Sequence, residues 1–298
     1  MSERAPEPSS APPLAGTPGH VPDLPTRFAM GVVMIAVASV AIWFGGWPFR
    51  ILVTIAAAVT LAEWADMHRV AWPWTWLAVA LLALLLLGGG EYLYPAGAID
   101  TMRLDGGEEM WVVDADGFTP AGLAMAAALA LGLLLALASR RPTLGWGFAY
   151  VAIPAFALVV MSWTMGPGLI FWIMIVTWAT DIFAYFAGRT IGGPKLAPRI
   201  SPAKTWAGLV GGAVGAGLCG WLAADYFDLP SLLTWLGVPM AIIAQGGDLY
   251  ESWVKRRCGV KDSGTILPGH GGVLDRIDGL MAVSVATLAV LMAGLWTG

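Results

Sequence analysis

The chain has 298 residues, of which 58% are hydrophobic and only 12% charged, with a net charge of −4. A soluble domain of this size carries about twice that share of charge, roughly 25%, because its surface must face water. Composition therefore excludes a water-soluble enzyme, a disordered chain and a collagen-like fibre, and leaves an all-α polytopic membrane protein.

Residues 1–26 hold 7 of the 20 prolines and no apolar stretch. They read as a disordered, solvated tail, since a secretory signal needs an apolar segment behind its positive start. Nine apolar runs follow, at about 28–45, 48–65, 71–90, 119–138, 146–163, 167–187, 206–226, 232–251 and 279–297. Each is long enough to cross a hydrocarbon core of ~30 Å, so about nine transmembrane helices are expected. The first five form an N-terminal transmembrane region, 27–165, and the rest a region, 166–298, that carries nearly all the polar chemistry. With the N-terminus cytoplasmic and the C-terminus outside, all Lys and Arg except Arg50 and Arg103 fall on inner segments, as the positive-inside rule requires. One outer loop, about 91–118, collects seven acids, among them Asp105. A solvated loop is the simpler account, a cation-collecting mouth the alternative. The two cysteines, Cys219 in an apolar run and Cys258 beside basic residues, suggest reduced thiols and no zinc site.

Near the basic segments 189–204 and 255–261, six acids stand in or beside membrane helices: Asp181, Asp248, Glu251, Asp262, Asp275 and Asp278. A carboxylate facing lipid costs about 2.5–3.5 kcal/mol even on a lenient scale, so each must meet a base, a cation or water. On a continuing eighth span, Asp248, Glu251, Ser252 and Lys255 fall at i, i+3, i+4 and i+7 and share one face. Asp275 and Asp278 are one turn apart and join Asp248 in a three-carboxylate cluster suited to one or two divalent cations bridging phosphates. The segment before them, from Lys261 through His270, Gly271 and Gly272, lets backbone approach an anion closely. His270 suits a phosphate ligand or leaving-group stabiliser better than a general base, because a phosphate nucleophile is already anionic. Upstream, Ser201 reads as an N-cap with Pro202 at the first helical position, putting Lys204 and Thr205 in a phosphate-binding first turn. Asp181 and Tyr185 lie at i, i+4 before Arg189; Asp181 either orients a base or metal-bound water, or pairs with Arg189. Structural ion pairs and a well-capped helix are the plainer reading of each piece taken singly.

The run Ser252-x-x-Lys255-Arg256-x4-Lys261-Asp262-x-Gly264-x2-Leu267-Pro268-Gly269-His270-Gly271-Gly272-x-x-Asp275-Arg276-x-Asp278 resembles the signature of the phosphatidate cytidylyltransferase (CDP-diacylglycerol synthase) family. Asp181-x3-Tyr185-x2-Gly188-Arg189 and Ser201-Pro202-x-Lys204-Thr205 resemble it too, and the specific likeness runs from about 178 to 280. The resemblance implies a nucleotidyltransferase of phospholipid biosynthesis that joins CTP to phosphatidic acid, giving CDP-diacylglycerol and pyrophosphate. It implies Mg²⁺, with a second cation left open, and in-line attack of the lipid phosphate on the CTP α-phosphorus. By analogy Asp248, Asp275 and Asp278 bind metal. Lys255, Arg256, Lys261, His270, Arg276 and Asp181 serve catalysis, and Ser201, Lys204, Thr205, Ser252, Gly271 and Gly272 hold substrate phosphates. The place implied is a bacterial inner (cytoplasmic) membrane, among membrane lipids, with the site facing the cytoplasm. Whether the chain acts as a homodimer stays open.

A CDP-alcohol phosphatidyltransferase would need a DGx2AR…Gx3Dx3D pattern, but Asp278-Gly279 is followed by Leu280-Met281-Ala282-Val283. A cytidylyltransferase for another lipid phosphate, such as an ether lipid, remains a rival. A transporter would place charges deep in several helices, whereas these gather at one face. Nucleic acid is excluded as a partner, because the basic residues lie at membrane loops and not on a soluble module.

Overall fold

The computed structural model of the chain describes residues 24–88, 99–103, 109–113, 119–267 and 271–293. Eight helices and two short antiparallel hairpins make up these residues, in the order α1 (Leu24–Phe44), α2 (Gly46–Met67), α3 (Trp72–Gly88), β1 (Ile99–Arg103), β2 (Glu109–Val113), α4 (Thr119–Ser139), α5 (Pro142–Thr190), β3 (Lys195–Ala197), β4 (Ser201–Thr205), α6 (Trp206–Tyr226), α7 (Ser231–Cys258) and α8 (Leu274–Met292). Helix α1 starts inside the stretch read as tail. Most of the acidic segment 91–118 lies outside the described residues. Among the described residues, five helices (α2, α4, α5, α6 and α7) are long and apolar enough to cross a membrane, and the chain is read as an integral membrane protein.

Helix α5 takes up the two runs expected at 146–163 and 167–187. Straight, its 49 residues would reach about 73 Å at 1.5 Å per residue, more than twice a hydrocarbon core. It is broken at Gly166, whose φ of 72° and ψ of −169° suit glycine alone, and Pro167 starts the second arm. The arms fold back on each other, because Trp146 near one end and Asp181 near the other both lie beside the same stretch of α7: Trp146 Nε1 donates to Tyr250 Oη at 2.5 Å, and Asp181 shares a cavity with Asp248. This helix is the centre of the bundle, with 83% of its most apolar window buried against 22–56% in the other four. Phe148, Phe156, Met161 and Trp172 are fully enclosed along it, and Trp172 Nε1 donates to Gly220 O at 2.9 Å.

Lipid tails are as apolar as leucine, so close packing of small residues, rather than escape from water, holds such helices together. A Cβ on Gly212 would stand 2.8 Å from Thr180 O, and one on Gly215 2.2 Å from the Phe183 ring. A Cβ on Gly237 would stand 2.4 Å from Ala216 O. Helix α6 is thus seated on the second arm of α5, and α7 on α6, at backbone distance. That contact brings Asp181, Thr205 and Asp248 to one end of the bundle. At the other end, buried Arg50 of α2 donates from Nε to Leu86 O at 2.7 Å and from Nη2 to Leu87 O at 3.3 Å. A cation here meets the carbonyl end of α3, which explains a charge inside a membrane helix.

Candidate active site

The β3–β4 hairpin joins α5 to α6 and pairs Lys195 with Thr205 and Ala197 with Ser201. Ser201 and Lys204 therefore lie on a strand, and the helix start expected at Ser201-Pro202 is displaced. The N-cap is Thr205, whose Oγ1 accepts from Gly208 N at 3.0 Å. Proline at 202 suits an edge strand as well as a first helical turn. The paired strand and a threonine three residues before Gly208 settle the boundary at Trp206.

A cavity of about 470 Å³ opens between the second arm of α5, β4 and α7, lined by Asp181, Tyr185, Arg189, Lys204, Thr205 and Asp248 among others. That volume falls in the range of small-molecule sites. Arg189 Nη1 donates to Tyr185 Oη at 2.7 Å, with its guanidinium 5.9 Å from that ring, so Arg189 meets Tyr185. Asp181 faces the cavity opposite Asp248 and Lys204. Lys204 Nζ is ion-paired with Asp248 Oδ2 and donates to Gln245 Oε1 at 2.7 Å.

Helix α7 runs on to Cys258, with Gly259 in the left-handed region (φ 75°) as its C-cap. The stripe read from spacing therefore exists: Ser252 Oγ donates to Asp248 Oδ1 at 3.3 Å, and Lys255 Nζ pairs with Glu251 Oε2 at 2.7 Å. Helix α8 packs on α7 so closely that a Cβ on Gly247 would stand 2.8 Å from Asp278 O. As a result Asp248, Glu251 and Asp278 bring their oxygens within 4.8 Å of one another. Three converging carboxylates with no sulfur or imidazole are a donor set for a hard cation such as Mg²⁺. Glu251 enters this group beyond the ligands expected from the sequence.

Asp275 lies outside the converging three and meets them at Glu251 and through Lys255, whose Nζ lies 2.6 Å from Asp275 Oδ1. Its Oδ2 accepts from Ser263 N at 3.0 Å and Gly272 N at 2.9 Å. The same carboxylate thus clips both ends of the segment between α7 and α8, which Leu267 N also closes on Gly271 O at 3.0 Å. Gly271 has a φ of 82°, a conformation that needs glycine. Gly272 is glycine for another reason: a Cβ there would stand 2.0 Å from Ser263 Oγ. Arg256 Nη1 donates to Val260 O at 3.1 Å beyond the end of α7, while Lys261 and Arg276 are exposed. His270 lies outside the described residues.

Two polar residues at this end carry little sequence signal. Gln245, one turn before Asp248, is buried and holds Lys204. Glu63 of α2 is 4% exposed, and its carboxylate accepts from Ser263 Oγ at 3.1 Å, Val273 N at 2.9 Å and Leu274 N at 2.9 Å. The available hint for Glu63 is that an acid inside an apolar helix needs partners.

The profile of the cytidylyltransferase family matches residues 25–293. A phosphatidate cytidylyltransferase of Brucella abortus is 36% identical over 279 residues, covering 88% of this chain and 91% of the relative. One from Pseudomonas aeruginosa is 43% identical over 163 residues, 53% of this chain and 60% of the relative. One from Rickettsia bellii is 39% identical over 160 residues, 50% of this chain and 68% of the relative. The chain belongs to the cytidylyltransferase family, a family of nucleotidyltransferase enzymes.

Proposed function

We propose that this member of the cytidylyltransferase family transfers the cytidylyl group of CTP to phosphatidic acid, as a phosphatidate cytidylyltransferase of a bacterial inner membrane. The observation that carries the reading is the cavity in which Lys204, Thr205 and Arg189 face Asp181 and Asp248, beside the carboxylates of Asp248, Glu251 and Asp278. Cationic donors and converging oxygens within one small space suit a reaction between two phosphates. The topology we propose has nine spans, counting α1, α3, α8 and both arms of α5, with the N-terminus cytoplasmic and the C-terminus outside. Support comes from the basic residues, which the β3–β4 hairpin, the end of α7 and the start of α8 gather at the end that holds the cavity. That end would face the cytoplasm, where CTP arrives from water and the lipid enters from the side.

In the reaction an oxygen of the lipid phosphate forms a bond to the α-phosphorus of CTP. The bond from that phosphorus to its bridging oxygen breaks, and pyrophosphate leaves. Mg²⁺ held by Asp248, Glu251 and Asp278 would offset phosphate charge. Lys204, drawn toward Asp248 and Gln245 at rest, is placed to turn to an incoming phosphate oxygen, with Thr205 and Arg189 on the same wall. Lys255 holds Glu251 and Asp275 in fixed orientation, while Arg256, Lys261, His270 and Arg276 are assigned to the phosphates at the rim. Such a site works by positioning and by charge aimed in advance at the transition state.

The test is transfer of label from α-³²P-CTP into a lipid extract by purified protein. Label in lipid that requires both phosphatidic acid and divalent metal is expected. No transfer to phosphatidic acid with any divalent metal would refute the reading, and transfer to another lipid phosphate would redirect it.

A further inference from the structure

We propose that Glu63 is a positioning residue for this reaction, acting from α2 by holding the start of α8 and the preceding segment so that Asp278 meets Asp248 and Glu251. The inference rests on the cytidylyl-transfer reading for its chemistry but stands on contacts of its own. Glu63 is one helical turn from the end of α2, 200 residues from its nearest polar partner in sequence. Oε1 accepts from Val273 N at 2.9 Å; Oε2 accepts from Leu274 N at 2.9 Å and Ser263 Oγ at 3.1 Å. A buried carboxylate is tolerated only where donors surround it, and among the described residues they come from Ser263 and from Val273 and Leu274 at the start of α8.

Two glycines of that segment leave room for this carboxylate. A Cβ on Gly264 would stand 2.7 Å from Glu63 Oε1, and a Cβ on Gly272 2.6 Å from Glu63 Oε2. The conformation of Gly264 is open to any residue, since its φ is not in the left-handed region. What requires glycine at 264 is therefore the approach of Glu63. The chain of consequence is short. Glu63 fixes Val273 and Leu274; Asp275, next in sequence, clips Ser263 and Gly272 and takes Lys255; Asp278, one turn on, joins the carboxylate group. This pin decides which way the first turn of α8 faces.

Glu63→Gln replaces one acceptor with a donor that confronts a backbone N–H. Gly264→Ala keeps the charge and pushes the carboxylate aside. Binding of Mn²⁺ alone, followed by electron paramagnetic resonance, reads the carboxylate group without turnover. Each variant is expected to weaken Mn²⁺ affinity and lower kcat with phosphatidic acid by about 10–100-fold, the usual cost of removing an outer support of a metal site. KM for CTP is expected to change less, since the cavity wall on α5 and β4 is untouched. Because both act on one contact, Gly264→Ala added to Glu63→Ala should cost no more than Glu63→Ala alone. Unchanged Mn²⁺ affinity in folded Glu63→Gln and Gly264→Ala would overturn the proposal, as would additive losses or a wild type with no Mn²⁺ affinity. A wild type that binds Mn²⁺ with the expected pattern but labels no lipid would refute the phosphatidate reading and leave Glu63 in its role.

Discussion

Two groups of carboxylates meet at the same end of the bundle, and their oxygens have different company. Asp248, Glu251 and Asp278 converge within 4.8 Å, and the ion pairs to them come from Lys204 and Lys255. Glu63 and Asp275 each accept from two backbone N–H groups, and Ser263 serves both. The second arrangement is fully hydrogen-bonded and makes a rigid joint. The first gathers more negative charge than its lysines offset, a placement that folding alone would not favour and that handling a cation explains. Lys255 links the two, touching Glu251 on one side and Asp275 on the other. Substitutions in the joint should cost structure and activity together, and those in the converging group activity far more than structure.

Lys255→Ala strikes both regions and should have the largest effect. It leaves Asp275 and Glu251 buried without their cation, which costs about 3–5 kcal/mol when one partner of such a pair is removed. Turnover should vanish, and thermal unfolding in detergent should fall well below wild type. Asp248→Asn should separate the two properties. Turnover is expected to drop on the order of a thousandfold, with a smaller loss of unfolding temperature than in Lys255→Ala, because Lys204 loses Asp248 but keeps Gln245. A large loss of stability there would erase the distinction between the regions. Trp64→Phe touches neither group of carboxylates but removes the bond from Trp64 Nε1 to Thr143 O, 2.9 Å long. It should lower stability by about 1 kcal/mol and leave kcat alone. Asp105→Asn, in the acidic segment, should change nothing in either assay; a marked loss of turnover would favour the cation-collecting mouth.

The parts legible in the sequence are those whose evidence is local. The Asp248, Glu251, Ser252 and Lys255 stripe follows from helical spacing, and Gly166-Pro167 marks the break in α5 within a few residues. Lys204 and Asp181 stand out because charge in an apolar chain demands a reason. The rest depends on contacts that spacing does not encode. Thr205, not Ser201, caps α6 because a strand pairing consumes Ser201, and a three-residue strand leaves almost no periodic signal. Glu251 joins Asp278 because Gly247 allows α8 to approach, which a count of carboxylates one turn apart does not reveal. Glu63 sits in a helix that reads as an ordinary span, and its partners appear only when α2 and α8 are placed side by side.

The most direct test of the contrast is Mn²⁺ binding to Asp278→Asn, followed by electron paramagnetic resonance alongside thermal unfolding of the same preparation. Among the described residues, Asp278 accepts from its neighbour Gly279 N at 2.8 Å, while Lys204 is ion-paired with Asp248 and Lys255 with Glu251 and Asp275, so its loss leaves those ion pairs in place. Affinity for Mn²⁺ should fall at least about tenfold with the unfolding temperature held or raised. Wild-type affinity in this variant would show that the converging carboxylates do not hold the metal.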